Sequence, residues 1–339
     1  MTTKTQRRLR GGMIGLGFMG RHHVGQYEKL PQVELVAIAD ADPVRLHNKA
    51  TIEGNIDLPQ PKINFAALQA FADGRDLIAQ ADVDFVDIAT PSYLHAEMAV
   101  LAAEAGRHIL VEKPMALNSA DAERMIAAAR ANNVRLMVAQ VVRFWPEYLY
   151  LKEVYTSKRL GRLMHAEFIR RGSRPRWSWR KWMSEVEHSG GAPFDLHIHD
   201  VDYVHYLLGE PQKITARHIV SPGSTGHDIM TAQFEYPDGL TVAVDGGWYA
   251  PARYGFYSAY EAVFEQGIVR YHGGAQPTLT VMRNDTDEVE TPSVSGDPYE
   301  AEILFFVRAL QDGSDPAEQH PPESSLAAVR LIERELASA

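Results

Sequence analysis

The chain has 339 residues, of which 45% are hydrophobic and 23% are charged, and this balance is ordinary for a soluble globular protein. Its length predicts about two domains of roughly 150 residues each, and its composition excludes a disordered, collagen-like or coiled-coil chain. The 34 Lys and Arg residues against 44 Asp and Glu residues give a net charge of −10, which argues against a general binder of nucleic-acid backbones.

The chain contains no cysteine, which excludes a disulfide framework, a thiolate zinc site, an iron–sulfur cluster and a cysteine nucleophile. No apolar run approaches the roughly 20 residues of a membrane span, so we expect no membrane partner. The basic pair Arg7-Arg8 resembles a fragment of a twin-arginine signal, but the chain passes straight into folded-domain sequence at Met13–Gly17. A cytoplasmic location is therefore expected.

The first third of the chain alternates short apolar runs with helical patterns. The predicted strands are Gly12–Ile14, Val33–Ala39, Val83–Ala89, His108–Val111 and Arg135–Val141, and the predicted helices are Met19–Leu30, Pro43–Thr51, Ala96–Ala105 and Ser119–Asn132. Strands that are apolar throughout and separated by helices are typical of a parallel sheet covered on both faces. We therefore predict an α/β protein whose first domain, residues 8–145, is a doubly wound Rossmann domain.

Beyond Trp145 the pattern changes to strands without intervening helices. The predicted strands are Leu163–Ile169, Lys213–Ile219, Met230–Tyr236, Leu240–Asp245, Ala259–Glu265, Gly267–Tyr271 and Leu279–Arg283, and the predicted late helices are Asp297–Gln311 and Pro322–Ser338. The turn residues Pro237-Asp238-Gly239 between two apolar runs indicate a hairpin. These features predict a second α/β domain, residues 146–339, with a large, open, mostly antiparallel sheet.

A glycine-rich turn follows the first strand and opens the first helix. It consists of Gly15, Leu16, Gly17, Phe18, Met19 and Gly20. In this context the first glycine permits a tight turn, the second lets a pyrophosphate approach the backbone, and the third lets the helix pack on the strand. Asp40 lies twenty residues beyond Gly20, at the spacing of an acid that binds a ribose 2′-hydroxyl. Because Ala41 and Asp42 supply no cation for a 2′-phosphate, NAD is favoured over NADP, with Arg45 leaving the choice open.

Two further constellations carry chemistry. Lys113 lies between Glu112 and Pro114, just past the carboxyl end of a strand, where open α/β sheets bind ligands. It could polarise a substrate hydroxyl; a surface ion pair is the alternative.

Asp195, His199 and Asp202 recur at helical spacing after Gly190–Pro193, so we expect them to share one face, with the histidine as a general base. A metal site that includes His197, or a polar domain interface, are the alternatives for this helix, and we expect no metal.

The segment Arg174–Trp182 carries three of the five tryptophans together with four basic residues. It could form a pocket wall on which indole rings stack against a sugar, or it could be an interface segment of a dimer. Interleaved basic and aromatic residues also occur in single-strand nucleic-acid binders, which the acidic total charge disfavours.

Taken in order, these motifs resemble the Gfo/Idh/MocA family, the glucose–fructose oxidoreductase and inositol dehydrogenase group. The matching features are Gly15–Gly20, Asp40, Ala89–His95, Glu112–Pro114, Arg143–Pro146 and Gly190–Asp202. The resemblance implies that Lys113, Asp195 and His199 are catalytic, that Thr90, Pro91 and His95 lie along the cofactor, and that Glu112 lies beside the nicotinamide ribose. His197 and Ala192 depart from the family pattern near the expected pocket, which puts the substrate in doubt.

The leading hypothesis is an NAD-dependent dehydrogenase that acts on a secondary alcohol of a small polyhydroxylated substrate such as a sugar or cyclitol. A cleft between the domains would have to bring Lys113 and His199 together. The alternatives are a glycoside hydrolase that uses NAD transiently and a cofactor-binding regulatory protein without turnover. A homodimer or homotetramer formed through the sheet of the second domain is expected, because a broad sheet needs cover on both faces.

Overall fold

The computed structural model describes residues 7–47, 53–54, 58, 61–221, 224 and 226–338. By its internal contacts the chain divides into two compact units. The first unit contains residues 1–139 and 299–326, and the second contains residues 140–298 and 327–339. No helix in these described ranges combines the length and the apolar composition needed to cross a bilayer.

The first unit is built on a parallel sheet. Its strands are β1 (Leu9–Ile14), β2 (Val33–Ala39), β3 (Gln69–Phe71), β4 (Phe85–Ile88), β5 (His108–Glu112) and β6 (Leu136–Ala139), and the helices between them are α1 (Phe18–Glu28), α2 (Gly74–Gln80), α3 (His95–Glu104) and α4 (Ser119–Ala131). The strand order is β3-β2-β1-β4-β5-β6, and the described pairs are all parallel. The order reverses between β1 and β4, and ligands of such sheets bind at the carboxyl edge beside this point.

The second unit is built on a broad sheet. Its strands are β7 (Leu163–Arg171), β8 (Lys213–Ile219), β9 (Ile229–Glu235), β10 (Thr241–Gly247), β11 (Tyr257–Phe264), β12 (Gly267–His272), β13 (Leu279–Arg283) and β14 (Val289–Glu290), and the remaining helices of the chain are α5 (Pro146–Ser157), α6 (Val186–Ser189), α7 (Ile198–Leu208), α8 (Pro298–Asp312) and α9 (Pro322–Ser338). The order is β14-β13-β12-β11-β7-β10-β9-β8. β7 and β10 pair in parallel, and the other described pairs are antiparallel.

Burial explains why the two sheets differ. Every residue of β4 is buried, as the apolar run predicts for a strand covered on both faces. Along β9 the burial alternates, with Met230, Ala232 and Phe234 inside and Thr231 and Gln233 exposed. Alternation of this kind marks a sheet with one packed face and one accessible face. The predicted fold class is confirmed in both sheets.

Several local predictions need correction. The helix predicted over Pro43–Thr51 begins as a short 3₁₀ turn, Pro43–Leu46, which the side chain of Asp42 caps through Val44 N. His47 is already extended, so the helix ends there, and the remaining predicted residues, 48–51, lie outside the described ranges. The elements β3, α2, α5 and β14 were not predicted, because they are short or lie where the domain boundary was placed.

Residues 299–326 also differ from the prediction, which assigned them to the second domain. They belong to the first unit, where the ring of Phe306 on α8 lies 5.7 Å from that of Phe85 on β4. The units divide after Ala139 rather than after the predicted residue 145. The 3₁₀ turn Val141–Phe144 (the Arg143 turn) therefore belongs to the second unit. Helical periodicity predicted α8 correctly, but it carries no information about which distant strand the helix covers.

Candidate active site

The glycine turn of the first unit leaves an open surface at Gly17. Gly15 has a φ of +96°, and a Cβ there would lie 2.5 Å from the carbonyl oxygen of Ala89. A Cβ on Gly20 would lie 1.8 Å from the oxygen of Gly15, so the helix packs directly on the turn. At Gly17 the nearest atom to a Cβ is Arg45 Nη1, 3.6 Å away, and no side chain caps α1. Phe18 and Met19 follow half-buried in the first helical turn.

This cradle fits the pyrophosphate of a dinucleotide. The helix N-terminus presents backbone N–H groups and partial positive charge, and the absence of a side chain at Gly17 allows a phosphate to approach. Two glycines of the motif are thus required by the packing of the protein itself, and the third leaves the space that a ligand needs.

Asp40 follows β2 at the same edge of the sheet. Its Oδ2 accepts a hydrogen bond from Leu16 N (2.7 Å) and its Oδ1 accepts one from Asp42 N (2.8 Å). Burial raises the pKa of Asp40, and the two N–H groups with Arg45, whose Nη1 is 3.8 Å away, offset part of this effect. Because a carboxylate has about four acceptor positions, two remain for ribose hydroxyls.

The loops after β4 and β5 are joined by His95. This residue is 1% exposed, and its ring nitrogens lie 3.0 Å from the oxygen of Thr90 and 2.8 Å from the oxygen of Pro114. Burial lowers the pKa of His95. The side chain of His95 therefore holds the two loops to each other, while Thr90 and Pro91 are half-buried on the loop itself.

Glu112 ends β5 and is almost fully buried, whereas Lys113 is half-buried. The Glu112 Oε2 accepts a hydrogen bond from Lys113 N (2.9 Å), and its Oε1 lies 3.2 Å from His23 Nε2. Burial would raise the pKa of Glu112, but the contact and charge of His23, together with Lys113, lower it. The carboxylate is thus ionised and fixed in the protein, directly before the lysine.

In the second unit, Asp195 and His199 are the accessible side chains of an otherwise buried stretch. Residues 193–197 form a π-helical turn that continues into α7. From Gly191 to Asp200, Asp195 and His199 alone are half-buried, and the other residues are buried. Both side chains are therefore partly accessible to a ligand, and their common face stays a prediction.

Trp248 and Glu335, which sequence reasoning missed, bind side chains of this stretch. Trp248 Nε1 donates a hydrogen bond to Asp195 Oδ2 (2.9 Å), and its ring packs with Ala192 and Leu196. His197 is 0% exposed, and its Nε2 lies 2.8 Å from Glu335 Oε2 on α9. Ala192 and His197 thus contribute to the core, and the buried imidazole does not share the accessible face of His199.

The expectation that Asp202 shares this face is wrong. Asp202 is fully buried and forms a bidentate ion pair with Arg143, with bonds of 2.8 Å from Nε and 2.5 Å from Nη2. His199 and Asp202 both lie within the regular helix α7, so helical spacing does not separate them; the pair with Arg143 is what buries Asp202. The predicted apolar stripe is present, since Ile198, Val201 and Val204 are all 0% exposed.

A second buried pair lies beside the first. Arg170 Nε donates to Asp200 Oδ2 at 2.8 Å, and Tyr148 donates to Asp200 Oδ1 at 2.8 Å. Burial lowers the pKa of Arg170, but the Asp200 carboxylate raises it well beyond its ordinary value. Asp200 and Asp202, two residues apart on α7, thereby tie this helix to β7 and to the Arg143 turn.

Both interpretations of the Arg174–Trp182 segment, a pocket wall and a dimer interface, stay predictions. Its three tryptophans are half-buried, the guanidinium of Arg180 lies 4.4 Å from the Trp179 ring, and Arg174 forms an ion pair with the buried Asp228. Arg180 and Lys181 adopt φ values of 49° and 58°, a conformation that is uncommon for residues with side chains.

The remaining residue that the motifs did not reveal is His23 on α1. It is bound by Asp87, a carboxylate in the otherwise apolar strand β4. A charged residue inside a predicted buried strand was the available signal, because such a group needs a buried partner. The structure thus gathers the glycine turn, Asp40, Thr90 and Lys113 at one edge in the first unit, and Asp195 with His199 in the second.

Comparison with known proteins agrees with this arrangement. A family model described as the GFO_IDH_MocA oxidoreductase family with an NAD-binding Rossmann fold matches residues 9–140. A second model, described as the GFO/IDH/MocA C-terminal domain, matches residues 148–270. Both halves of the chain therefore match the same family in the expected order.

Individual relatives extend the match. An inositol 2-dehydrogenase of Saccharopolyspora erythraea is 30% identical over 82% of this chain and 77% of its own, and a D-apiose dehydrogenase of Paraburkholderia graminis is 26% identical over 100% and 89%. The solved structure of a levoglucosan dehydrogenase in complex with NADH and levoglucosan has the same fold, with a TM-score of 0.82 at 23% identity over 98% of this chain and 97% of that chain. The chain belongs to the Gfo/Idh/MocA oxidoreductase family and carries its NAD-binding Rossmann domain.

Proposed function

We propose that the protein is an NAD-dependent dehydrogenase that oxidises a secondary alcohol of a small sugar, cyclitol or derivative to the ketone, or catalyses the reverse reaction. The observation that carries this proposal is the convergence of the loops after β1, β4 and β5. Gly15 packs against the backbone of Ala89, and the ring of His95 contacts the loops after β4 and β5. Lys113 directly follows β5, so it lies at the same sheet edge as the dinucleotide cradle.

The proposed roles follow from the chemistry of each side chain. A bound nicotinamide cofactor would supply the hydride acceptor for the alcohol carbon. Lys113 donates a hydrogen bond to the alcohol oxygen and stabilises the negative charge that develops there. His199 accepts the hydroxyl proton, and Asp195, held by Trp248, orients these groups.

The substrate class is supported by the relatives. Three related dehydrogenases are named for inositol, apiose and levoglucosan, which are all small compounds with several hydroxyl groups. The accessible pair of Asp195 and His199 supplies the polar groups that such a substrate requires.

A screen of inositols, aldoses, apiose and levoglucosan with NAD, followed by NADH absorbance, tests the proposal. We expect NADH to accumulate with at least one of these compounds, and Lys113→Ala to abolish the signal while Lys213→Ala, an exposed lysine on β8, retains it. Hydrolysis of an aryl glycoside without net NADH would identify a glycoside hydrolase instead. Tight NAD binding without any turnover would indicate a regulatory protein.

We also propose a homodimer or homotetramer formed through the accessible face of the second sheet, in the cytoplasm. Glu167, Ala243 and Glu261 lie side by side on this face of the central strands β7, β10 and β11. Light scattering should give a multiple of the single-chain mass, and Ala243→Arg at the centre of the face should lower it. A single-chain mass for the unaltered protein at micromolar concentration would contradict the proposal.

A further inference from the structure

A buried histidine connects the first helix to the Glu112-Lys113 motif. His23 lies in the middle of α1 and is 0% exposed. Its Nδ1 is 2.9 Å from Asp87 Oδ2 on β4, and its Nε2 is 3.2 Å from Glu112 Oε1 at the end of β5. The imidazole therefore lies between two carboxylates that belong to neighbouring strands.

The surrounding groups complete this cluster. Tyr27, one turn further along α1, donates a hydrogen bond to Asp87 Oδ2 (2.8 Å). Burial and the charge of Asp87 raise the pKa of Tyr27, and the charge of Glu302 on α8 raises it further. The charges of Lys113 and His95 also lower the pKa of Glu112, after the larger effect of His23.

The electrostatic balance favours a charged imidazole. Burial alone would lower the pKa of His23, but the carboxylates of Asp87 and Glu112 raise it well above its ordinary value. Two buried anions without a cation between them would be costly, so the proton on His23 stabilises both. A cationic ring carries a proton on both nitrogens: Nδ1 hydrogen-bonds to Asp87, and Nε2 forms an ion pair with Glu112 at 3.2 Å without hydrogen-bond geometry.

We propose that His23 is a positioning residue: as a buried imidazolium it holds the Glu112 carboxylate, and through the Glu112–Lys113 N–H bond it holds Lys113, in the orientation that hydride transfer requires. This inference rests on the proposed function, in which Lys113 polarises the alcohol. His23 itself contacts neither the substrate nor the cofactor in this proposal.

The proposed role of His23 predicts a change in the pH dependence of kcat/KM. Without His23, burial favours the neutral acid of Glu112, and protonation at low pH removes the negative charge beside Lys113. An opposite charge at this distance lowers a carboxyl pKa by about 1–3 pH units, so its loss should move the acid limb of kcat/KM upward by at least about one pH unit. Raising the pH should ionise Glu112 again and restore the activity.

The first test needs no substrate. Histidine labelled with ¹⁵N in the NAD-bound protein should show one ring, identified by its loss in His23→Gln, that stays doubly protonated at pH values where an ordinary histidine is neutral. If His23→Gln does not fold, Glu112→Gln replaces it, because removal of one anion should make the same signal lose its proton at a lower pH. A His23 ring that titrates as an ordinary histidine would overturn the inference and leave the proposed function intact.

The second test uses the enzyme. His23→Gln should lower kcat/KM about tenfold or more on the acid side and approach the unaltered enzyme at alkaline pH, with little change in the KM for NAD. Tyr27→Phe, the matched control, removes a hydrogen bond from Asp87 but keeps the three charges, so its pH profile should not move. A loss of equal size at every pH would show a merely structural role. Failure of every substrate would contradict the proposed function alone, since the NMR result stands without turnover.

Discussion

Each unit contains buried ion pairs that involve chain neighbours of a residue proposed to react, but the cation differs between the two units. In the first unit, the imidazole of His23 lies between Asp87 and Glu112, next to Lys113. In the second unit, the guanidinium groups of Arg143 and Arg170 form bidentate pairs with Asp202 and Asp200, next to His199.

The difference determines how each support responds to conditions. A guanidinium remains protonated wherever a protein is folded, and its fork matches a carboxylate with two bonds, so the second unit keeps its cations as the pH rises. Its acid side is different, because burial raises the pKa of Asp202. An imidazolium loses its proton within the accessible range, so the first unit can lose the cation beside Glu112 at high pH.

The largest expected effect is on stability and comes from breaking an arginine pair. Asp202→Ala leaves the buried Arg143 without its carboxylate and should lower the free energy of unfolding by about 3–5 kcal/mol, equally at neutral and alkaline pH. Urea denaturation measures this change.

Two controls sharpen the result. Arg143→Met combined with Asp202→Leu removes both charges and should recover much of the loss. Glu97→Ala breaks the exposed pair with Arg75 and should cost less than about 1 kcal/mol. Equal losses for Asp202→Ala and Glu97→Ala would show that the buried pair has no special weight.

The next effect tests whether the two units supply one reaction. Lys113→Ala and His199→Ala should each lower kcat by about a hundredfold or more, since a positioned acid–base group contributes about that much. The double variant should lose much less than the product of the two, because groups that act as a unit are not additive. NAD affinity, measured by fluorescence titration, should change little in His199→Ala, because the pyrophosphate contacts are expected from the glycine turn.

The control for these two variants is His272→Ala, an exposed histidine on β12, which should retain full activity. The pH dependence of kcat should also lose, in His199→Ala, the ionisation that a histidine base contributes near neutral pH. Full activity in either single variant would remove that residue from the proposed mechanism.

A smaller effect concerns the cofactor and belongs to the first unit alone. Asp40 should repel a 2′-phosphate, so kcat/KM should favour NAD over NADP by at least about tenfold, or roughly 1.4 kcal/mol. Asp40→Ser with Ala41→Arg should move the preference toward NADP. Equal use of both cofactors by the unaltered enzyme would show that Arg45, 3.8 Å from Asp40, compensates the charge.

The smallest effect is the pH dependence of stability. Because the pKa of His23 is raised on folding, its contribution is complete below the ordinary histidine pKa of about 6.5 and is lost as the pH rises through the folded value. The lowered pKa of Glu112 acts oppositely, since its contribution is present above the ordinary glutamate value and is lost as the pH falls through the folded one. Urea midpoints should therefore fall from neutral to alkaline pH, and fall less in His23→Gln. Parallel slopes would mean that His23 carries no extra proton.

Local sequence was sufficient for the elements that repeat a pattern. β2, β8, β13 and α9 have the predicted bounds, and the motifs lie at the strand ends where they were expected. The hairpin turn and the strands without intervening helices in the second half correctly predicted a mostly antiparallel sheet. Short elements such as β3 and β14 escaped prediction because two or three residues show no periodicity.

The sequence by itself determined the two sheets and the dinucleotide cradle, because backbone geometry and hydrophobic periodicity act between residues close in the chain. Only the tertiary structure decided which polar residues are buried and which partner each of them has. Arg143 and Asp202 are 59 residues apart, Trp248 and Asp195 are 53 apart, and His197 and Glu335 are 138 apart. A buried charge requires a partner, but its identity depends on which distant elements pack together, and no local pattern encodes that packing.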